Sequence, residues 1–378
     1  MDIIVKPVTT AKELKMFVSL PWSIYRSDPH WVPPLVADML VKLDSQRNPF
    51  WRSAERSLWI AWYGKRPVGR IAAILDNARN AVLKQPVGEF GFFECIHDAA
   101  IAELLLETAA DWLHQKGMTL MRGPYNPSPS DDIGILVEGF DTRPAIMEAH
   151  NPAYYPAFFE NNGFTKYLDT IARLASRQPG QTELNQALPE KLVRAAKLAG
   201  RRSDIVIRKM DMKQWESEIK LACRIFNTAL APLPDFSPTS EEEFMQLANS
   251  FKPILDADMA LIAEVGGKPV GYALALPDIN EALQHVNGRL GPVGIAKLWW
   301  YSRKMKRVSF KILMMLPEYQ NRGIEALLIV QIAQALWDKG YIEADMSLTG
   351  EENEKSTCLQ DHLGIKVYRR YRIYEKAV

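Results

Sequence analysis

The chain has 378 residues, a length that suggests two or three domains. Of these residues 47% are apolar and 24% are charged, which is ordinary for a soluble globular protein. Its 46 Lys and Arg almost balance its 45 Asp and Glu, so the net charge of +1 favours neither a nucleic-acid partner nor an anionic membrane. No apolar run reaches transmembrane length, and three cysteines spaced far apart exclude a disulfide scaffold. We therefore expect a cytoplasmic protein with no nucleic-acid or membrane partner.

An internal repeat organises the sequence. The strand pattern at Ile4–Val8 recurs at Val206–Met210. A strand, tight turn and strand at Trp59–Asp76 recur at Leu261–Asp278, and both matches have an offset of 202 residues. Self-similarity of this kind indicates two copies of one α/β unit.

Two later matches locate insertions in the copies. The helix end at Ala109–Gly117 matches Ile332–Gly340 at an offset of 223, whereas Asn162–Phe164 matches Leu363–Ile365 at an offset of 201. The second copy therefore gains a segment near 279–306, and the first copy gains one of similar length near 121–150.

The repeat sets the predicted domain boundaries. The stretch 176–203 is polar, contains Pro179-Gly180 and ends in a short helical pattern, so we interpret it as a linker. The first copy then occupies residues 1–175, and the second occupies 204–378.

The insertion in the first copy is rich in polar and aromatic residues on loops that proline and Asx residues hold in place. Such groups suit a small-molecule pocket, but a structured loop that covers the core explains them equally well. Both interpretations stay open. The candidate substrate-binding residues are Asn126, Asp132, His150, Asn151 and Tyr155.

The stretch Arg307–Trp337 predicts a strand, a short polar turn and a largely buried helix. Pro317 ends the strand because it cannot donate to a sheet ladder. The turn contains Gly323 and Arg322, and the helix that follows carries partial positive charge at its start. A phosphate group suits this position, although an ordinary strand-to-helix connection has the same pattern.

The turn resembles the acyl-CoA loop of the GNAT superfamily of N-acyltransferases, typically V-x-P-x-x-Q/R-x-x-G-x-G/A followed by a helix. Pro317, Gln320 and Gly323 match that pattern. Glu325 departs from the pattern, because the family usually has Gly or Ala at that position. A carboxylate there should repel a pyrophosphate. The family's Asn, eleven residues before a glycine, corresponds to Asn353.

The resemblance implies acetyl-CoA or another acyl-CoA as the cosubstrate. The residues that would bind it are Met315, Leu316, Gln320, Asn321, Arg322, Gly323, Ile324 and Asn353. Cys358 and His362 have helical spacing, but two ligands do not make a zinc site, so we expect no metal.

The family's usual general acid is a Tyr that is missing from both copies. Its position holds Gln360 in the second copy and Phe159 in the first. Tyr368, in the last predicted strand, is the substitute candidate, although a strand with one aromatic face explains it as well.

The general base is also not where the family often places it, since Ser309–Met315 contains no Glu. Glu351 and Glu352 are the nearest carboxylates in sequence and are the candidate bases. Their alternative interpretation is a solvated turn, because most acidic pairs in loops lie at the surface.

The first copy has Cys95–Ala100 where the loop should be, so only the second copy is expected to hold acyl-CoA. The resemblance predicts an α/β (α+β) protein of two tandem GNAT-like domains, each a central mixed β-sheet flanked by helices. Its expected activity is N-acyl transfer to a small-molecule or peptide amine, with a homodimer left open. The alternative is a non-catalytic ligand-binding or assembly protein that retains the fold.

Overall fold

The computed structural model describes residues 3–233, 235–353, 360–361 and 365–378. It has the mixed α/β architecture that was predicted, with sheet strands flanked by helices. Two compact units can be separated. Unit 1 comprises Met1–Ile171, Ala282–Tyr301 and Tyr368–Val378, and unit 2 comprises Ala172–Glu281 and Ser302–Val367.

The strands are, in chain order, β1 (Ile3–Pro7), β2 (Ala54–Tyr63), β3 (Arg66–Asp76), β4 (Val87–Cys95), β5 (Leu120–Gly123), β6 (Tyr125–Asn126), β7 (Asp132–Ile133), β8 (Ile135–Glu138), β9 (Thr165–Ser176), β10 (Ile205–Lys209), β11 (Ala260–Val265), β12 (Lys268–Pro277), β13 (Arg307–Met315), β14 (Glu343–Gly350) and β15 (Lys366–Ala377). The described α-helices are α1 (Ala11–Ser19), α2 (Pro21–Ile24), α3 (Val36–Lys42), α4 (Asn77–Leu83), α5 (Ala99–Gln115), α6 (Tyr155–Asn161), α7 (Glu190–Ala199), α8 (Trp215–Leu230), α9 (Glu241–Phe251), α10 (Asn280–Leu283), α11 (Pro292–Ser302) and α12 (Ile324–Asp338). None of these helices combines the length and the apolar character needed to cross a membrane.

The sheet of unit 1 has the strand order β1-β2-β3-β4-β5-β15. Its first four strands are antiparallel, whereas β4 and β5 run parallel. Successive side chains alternate between two faces of the sheet, so that Ile71 and Phe90 pack with α5 and α6. Ala72 and Phe92 pack with α1 and α3 on the other face.

The sheet of unit 2 repeats this plan, with the order β9-β14-β13-β12-β11-β10. Strands β10 to β13 are antiparallel, and β13 and β14 run parallel. Helix α12 is apolar on most sides because two of its sides pack against other elements. One side packs on the strands through Ile324 and Leu328, and the other packs on α7 through Ala326 and Ile329. Helices α8 and α9 cover the opposite face of the sheet.

Irregularities of the two sheets follow the sequence repeat. The β2–β3 hairpin has a register shift between Ala61 and Trp62, and the β11–β12 hairpin has one between Ala263 and Glu264. These two bulges are 202 residues apart, as the sequence matches are. The extra segments of the first and second copies contain β6 to β8 and α10 to α11, respectively.

The compact units do not follow the contiguous boundaries 1–175, 176–203 and 204–378. Strand β15 closes the sheet of unit 1 by pairing antiparallel with β5, and β9 passes from unit 1 into unit 2, where it neighbours β14. The segment interpreted as a linker contributes α7 to the core of unit 2 through Leu192 and Ala196. The units are therefore discontinuous in sequence. Strand β15 of the second copy completes the sheet of unit 1, and β9 of the first copy completes the sheet of unit 2.

Candidate active site

Two parallel strands of unit 2 part before they end. Strands β13 and β14 are paired from Arg307 and Glu343 to Phe310 and Met346. Strand β13 continues to Met315 and β14 continues to Gly350, but their facing edges no longer form register pairs. An extended ligand could hydrogen-bond to such an edge in the way that a neighbouring strand does.

The turn after β13 leads directly into a helix start. Its first residues form one 3-10 turn, and the side chain of Gln320 donates to the carbonyl oxygen of Met315 over 3.2 Å. Asn321 and Gly323 have φ angles of +60° and +81°. No side chain caps α12 at Gly323, so the first-turn amides and the positive end of the helix dipole point into the turn.

Glu325 occupies one donor of this turn. Its carboxylate accepts a hydrogen bond of 3.2 Å from the backbone N–H of Asn321. The residue that departs from the family pattern thus places negative charge where an anionic ligand would bind. Arg322 provides the opposing charge, and its guanidinium lies 5.1 Å from the centre of the Tyr319 ring.

The glycine of this turn, Gly323, packs closely against a neighbouring helix. A Cβ atom at this position would lie 3.2 Å from the Cβ of Ala199 and 3.3 Å from the carbonyl oxygen of Ala195, both on α7. Glycine is required here because φ is positive and because α7 packs on the turn. A bulky substitution would therefore disturb packing in addition to any effect on binding.

A buried polar cluster, formed by Ser309, Lys311, Asp345 and Ser347, lies where β13 and β14 part. Ser309 and Asp345 are register partners, and both serine hydroxyls donate to the Oδ2 atom of Asp345, that of Ser347 over 2.6 Å. The Nζ of Lys311 donates to the hydroxyl of Ser347 over 2.8 Å. We call these four residues the strand-fork cluster.

The strand-fork cluster holds opposite charges in a buried place. Asp345 is fully buried, and the Nζ of Lys311 lies 3.9 Å from its Oδ2. A buried carboxylate is costly unless it is hydrogen-bonded and compensated, and both conditions are met here. Asp345 lies on β14, whereas the carboxylate of the family pattern was expected on β13. The sequence feature that indicates this cluster is the alternation of polar residues along both strands, which places them on one face of the sheet.

The other residues predicted around the acyl-CoA site lie at one edge of the sheet. Glu351, Glu352 and Asn353 form the turn after β14, and Glu352 and Asn353 are exposed. Because β13 and β14 are parallel, this turn and the Leu316–Ile324 turn emerge at the same edge. Residues 354–359 and 362–364, which include Cys358 and His362, lie outside the described residues.

Gln360, which stands in the position of the family's usual Tyr, is buried and its amide lies 3.3 Å from the hydroxyl of Thr349 on β14. Tyr368 is placed differently from the expectation of a substitute acid in the second copy. It lies on the part of β15 that belongs to unit 1, where its hydroxyl donates to Glu148 over 3.3 Å. We therefore do not assign Tyr368 to the acyl-CoA site.

The candidate residues Asn126 and Asp132 form a register pair in the small β6–β7 sheet. The amide oxygen of Asn126 accepts from the backbone N–H of Phe92 over 2.6 Å. A Cβ at Gly91 would lie only 1.7 Å from the carbonyl oxygen of Tyr125. The segment after β5 thus lies against β4 beyond the last register pair of β4 and β5. It fills the place in unit 1 that corresponds to the opening between β13 and β14 in unit 2.

Of the remaining candidates, Asn151 and Tyr155 are buried, and His150 is partly buried with its side chain only 3% exposed. Asn151 bridges the backbone N–H and C=O of Leu136, which is a structural role. The hydroxyl of Tyr155 donates to Glu94 over 2.8 Å, and the Nε2 of His150 lies 2.8 Å from the Oδ2 of Asp28. Burial raises the pKa of Glu94 and lowers that of His150, relative to their ordinary values.

His150 and Tyr155 come together through Tyr25, a residue that the sequence analysis missed. The hydroxyl of Tyr25 donates to Glu94 and lies 3.1 Å from the carbonyl oxygen of His150. The Tyr25 ring stacks on Trp31 with a centroid distance of 4.8 Å. These rings border a pocket of about 480 Å³ in unit 1, lined by Trp22, Tyr25, Arg26, Asp28, Pro29, Trp31, Pro33, Gln284, His285 and Asn287.

Comparison with known proteins identifies relatives over the whole length. No protein-family model matches the sequence. A bacterial ceramide synthase from Caulobacter vibrioides is 33% identical over 388 residues, covering 100% of this chain and 98% of that protein. Protein YghO of Escherichia coli is 30% identical over 384 residues, covering 99% of this chain and 95% of that protein.

Solved structures show the same fold at low sequence identity. A tandem GNAT protein from the clavulanic acid biosynthesis pathway has a TM-score of 0.57 and 12% identity, covering 100% of this chain and 98% of its own. A GCN5-related N-acetyltransferase from Sphaerobacter thermophilus has a TM-score of 0.54 and 12% identity, with 99% and 95% covered. The chain therefore has the fold of the GNAT acetyltransferases, and it belongs to the same family as the bacterial ceramide synthase of Caulobacter vibrioides and protein YghO.

Proposed function

We propose that this protein is an N-acyltransferase that moves a fatty acyl group from acyl-CoA to the amine of a long-chain amino alcohol. The observation that carries the proposal is the parting of β13 and β14 directly before a turn and an uncapped helix start. The acceptor class is taken from the ceramide synthase relative, because a ceramide is the amide of a fatty acid and a long-chain amino alcohol.

The residues of unit 2 fit an acyl-CoA. The free edge of Lys311–Met315 suits the amide-containing arm, and the helix start with Arg322 suits the pyrophosphate. Glu325 opposes that charge and would have to release the Asn321 amide when the ligand binds. In the proposed transfer the amine attacks the carbonyl carbon of the thioester directly, the C–S bond breaks, and CoA leaves as a thiolate that takes up the proton released by the amine. No covalent enzyme intermediate is needed.

The strand-fork cluster supplies the acid–base groups in this proposal. Asp345 accepts the proton of the attacking amine through the hydroxyl of Ser347, to which it is already hydrogen-bonded. The ammonium of Lys311 stabilises negative charge that develops on the carbonyl oxygen. We favour Asp345 over Glu351 and Glu352 because those two carboxylates lie in a turn at the sheet edge, whereas Asp345 lies where the strands part.

Unit 1 is proposed to bind no acyl-CoA in the family manner. Its corresponding opening beside β4 is filled by the backbone of Tyr125 and the side chain of Asn126. The pocket beside Tyr25 and His150 remains a candidate for recognition of a small polar group.

The proposal is tested by product formation. The purified chain incubated with palmitoyl-CoA and sphinganine is expected to form the amide, measured by mass spectrometry, at least about tenfold faster than acetyl-CoA acylates a hydrophilic amine such as spermidine. A factor of ten corresponds to roughly 1.4 kcal/mol of transition-state binding, which a long acyl chain can supply by burial.

Two other outcomes would contradict parts of this function. Turnover of hydrophilic amines alone would reject the long-chain acceptor and leave N-acyl transfer standing. Binding of acyl-CoA with no amide from any amine would favour the non-catalytic alternative.

The turn is tested separately through donor binding. We expect Glu325→Ala to lower the Kd for palmitoyl-CoA several-fold, because the substitution removes repulsion and frees the Asn321 amide. Arg322→Ala should raise the Kd, whereas Glu318→Ala, at an exposed acid of the same turn, should leave it unchanged. Ligand at about 100 times Kd adds roughly 2.7 kcal/mol to stability, so thermal shifts resolve these changes.

Calorimetry on the wild type supplies the stoichiometry for the same experiment. One donor site per chain is expected. Two equivalent sites would show that the filled opening of unit 1 does not prevent binding.

A further inference from the structure

Helix α11 exposes an unusual amount of apolar surface. Val293 is 71% exposed, Ile295 56%, Trp299 55% and Trp300 54%. At 100° per residue, these four and Ala296 lie within one arc of about 160° around the helix. Large apolar patches of this kind usually mark an interaction surface.

The opposite side of the same helix faces the protein. Gly294 is buried, and Leu298 and Tyr301 are partly buried. The Tyr301 ring stacks on His285 with a centroid distance of 3.7 Å. The exposed arc is therefore the outer face of a helix that is held in place.

The segment before α11 is anchored to unit 1 by its backbone and side chains. The indole N–H of Trp22 donates to the side-chain oxygen of Asn287 over 2.9 Å, and the N–H of Val36 donates to the carbonyl oxygen of Gly288 over 3.0 Å. A Cβ at Gly288 would lie 2.4 Å from the Trp22 ring, so the packing is close. The helix leaves this anchor with its apolar arc outward.

The charge around α11 differs from that of the whole chain. From Arg289 to Lys306 there are five basic residues and no acidic one, although the whole chain is nearly neutral. Lys297 lies on the helix, while Arg303 and Lys304 follow it in sequence and are exposed. A surface that combines tryptophan with basic residues complements anionic lipid headgroups, where tryptophan is favoured at the apolar boundary.

We propose that α11 binds the surface of an anionic membrane, lying in its plane with the arc of Val293, Ile295, Trp299 and Trp300 inserted below the headgroups. The helix has eleven residues, so it is about 16 Å long and too short to span a bilayer core of roughly 30 Å. An interfacial helix does not need that length. The sequence predicted no membrane partner because it has no apolar run of transmembrane length and a net charge of only +1. Neither property detects a short interfacial helix.

This inference goes beyond the proposed function, because surface binding needs no acyl transfer. The test is co-sedimentation of the full chain with vesicles of phosphatidylcholine alone or mixed with phosphatidylglycerol. We expect binding to the anionic vesicles, with a blue shift of tryptophan fluorescence. The double variant Trp299→Ser/Trp300→Ser should lose at least about tenfold in partitioning, because two aromatic side chains no longer bury apolar area.

Two further variants separate the contributions. Arg303→Ala/Lys304→Ala should reduce binding to anionic vesicles and leave the weak binding to phosphatidylcholine unchanged. Leu198→Ser, at an exposed apolar residue of α7, is the matched control and should bind like the wild type.

Two results would overturn the proposal. One is the absence of binding to anionic vesicles at about 0.1 M salt. The other is a dimer in sedimentation velocity that the tryptophan double variant abolishes, since a second copy of the chain would then cover the arc. Circular dichroism of each variant checks that the fold is retained.

Discussion

Asp345→Asn is expected to lower kcat for amide formation by at least about 100-fold, with little change in the KM for acyl-CoA. The amide side chain retains the size of the carboxylate and can still accept from the serine hydroxyls, but it cannot take a proton. General acid–base groups typically contribute factors of roughly 10² to 10⁴, which sets the expected size. The measurement is steady-state kinetics on the wild type and the variant, with the thermal midpoint of both.

The matched control is Asp278→Asn, at another fully buried aspartate of unit 2 whose carboxylate accepts from the backbone N–H of Asn280. It should cost stability without a selective loss of kcat. If Asp345→Asn instead lowers the thermal midpoint as much as Asp278→Asn does and retains its kcat, the strand-fork cluster has only a structural role. Lys311→Met provides a second check, since removal of the ammonium should also lower kcat.

Gly91→Ala is expected to destabilise the protein by about 3 kcal/mol or more, the upper end of the range for overpacking. The added Cβ would lie 1.7 Å from the carbonyl oxygen of Tyr125, and the next nearest atoms are also backbone or the side chain of Asn126. Because a backbone carbonyl cannot rotate away as a flexible side chain can, the segment must leave β4. Denaturant unfolding monitored by circular dichroism measures the change in free energy of unfolding.

Gly291→Ala is the control for that substitution. Gly291 also belongs to unit 1, has open space around its Cα and has no positive φ, so alanine there should change stability by no more than about 0.5 kcal/mol. Equal effects of the two substitutions would show that the segment at Tyr125 yields easily, and the opening of unit 1 would then be accessible after all.

The regular part of the fold could be predicted because it is encoded locally. The hairpins β2–β3 and β11–β12 are strand, tight turn and strand in sequence, and the matching bulges at Ala61 and Ala263 lie where the repeat aligns them. Helix α12 was predicted from its apolar period, and its apolar character indicated burial, which the strands and α7 provide.

The chemistry of the site was harder to predict because it depends on register. Lys311 and Asp345 are 34 residues apart, and the parallel pairing of Ser309 with Asp345 brings them together. A search for functional groups within one motif cannot find such a pair. The packing of Gly323 against Ala195 and Ala199 of α7 was not predictable for a related reason, since those residues are distant in sequence.

The discontinuous units could not be derived from the repeat. Strands β9 and β15 occupy corresponding places in the two copies, so the sequence does not say which sheet each of them completes. That choice depends on contacts far apart in the chain, such as the pairing of Gly123 with Tyr374.

The position of β15 has a consequence for how the protein is made. The sheet of unit 1 receives β15 about 200 residues after Met1–Ile171, which contains the other strands of that sheet, has been synthesised. At roughly 5 to 20 residues per second, this interval lasts about 10 to 40 s. During that time the edge of β5 is not yet paired with β15. Phe159, which stacks on Tyr374 of β15, also lacks that contact. The order of synthesis therefore leaves the β5 edge of this sheet without its β15 partner until β15 itself has been synthesised.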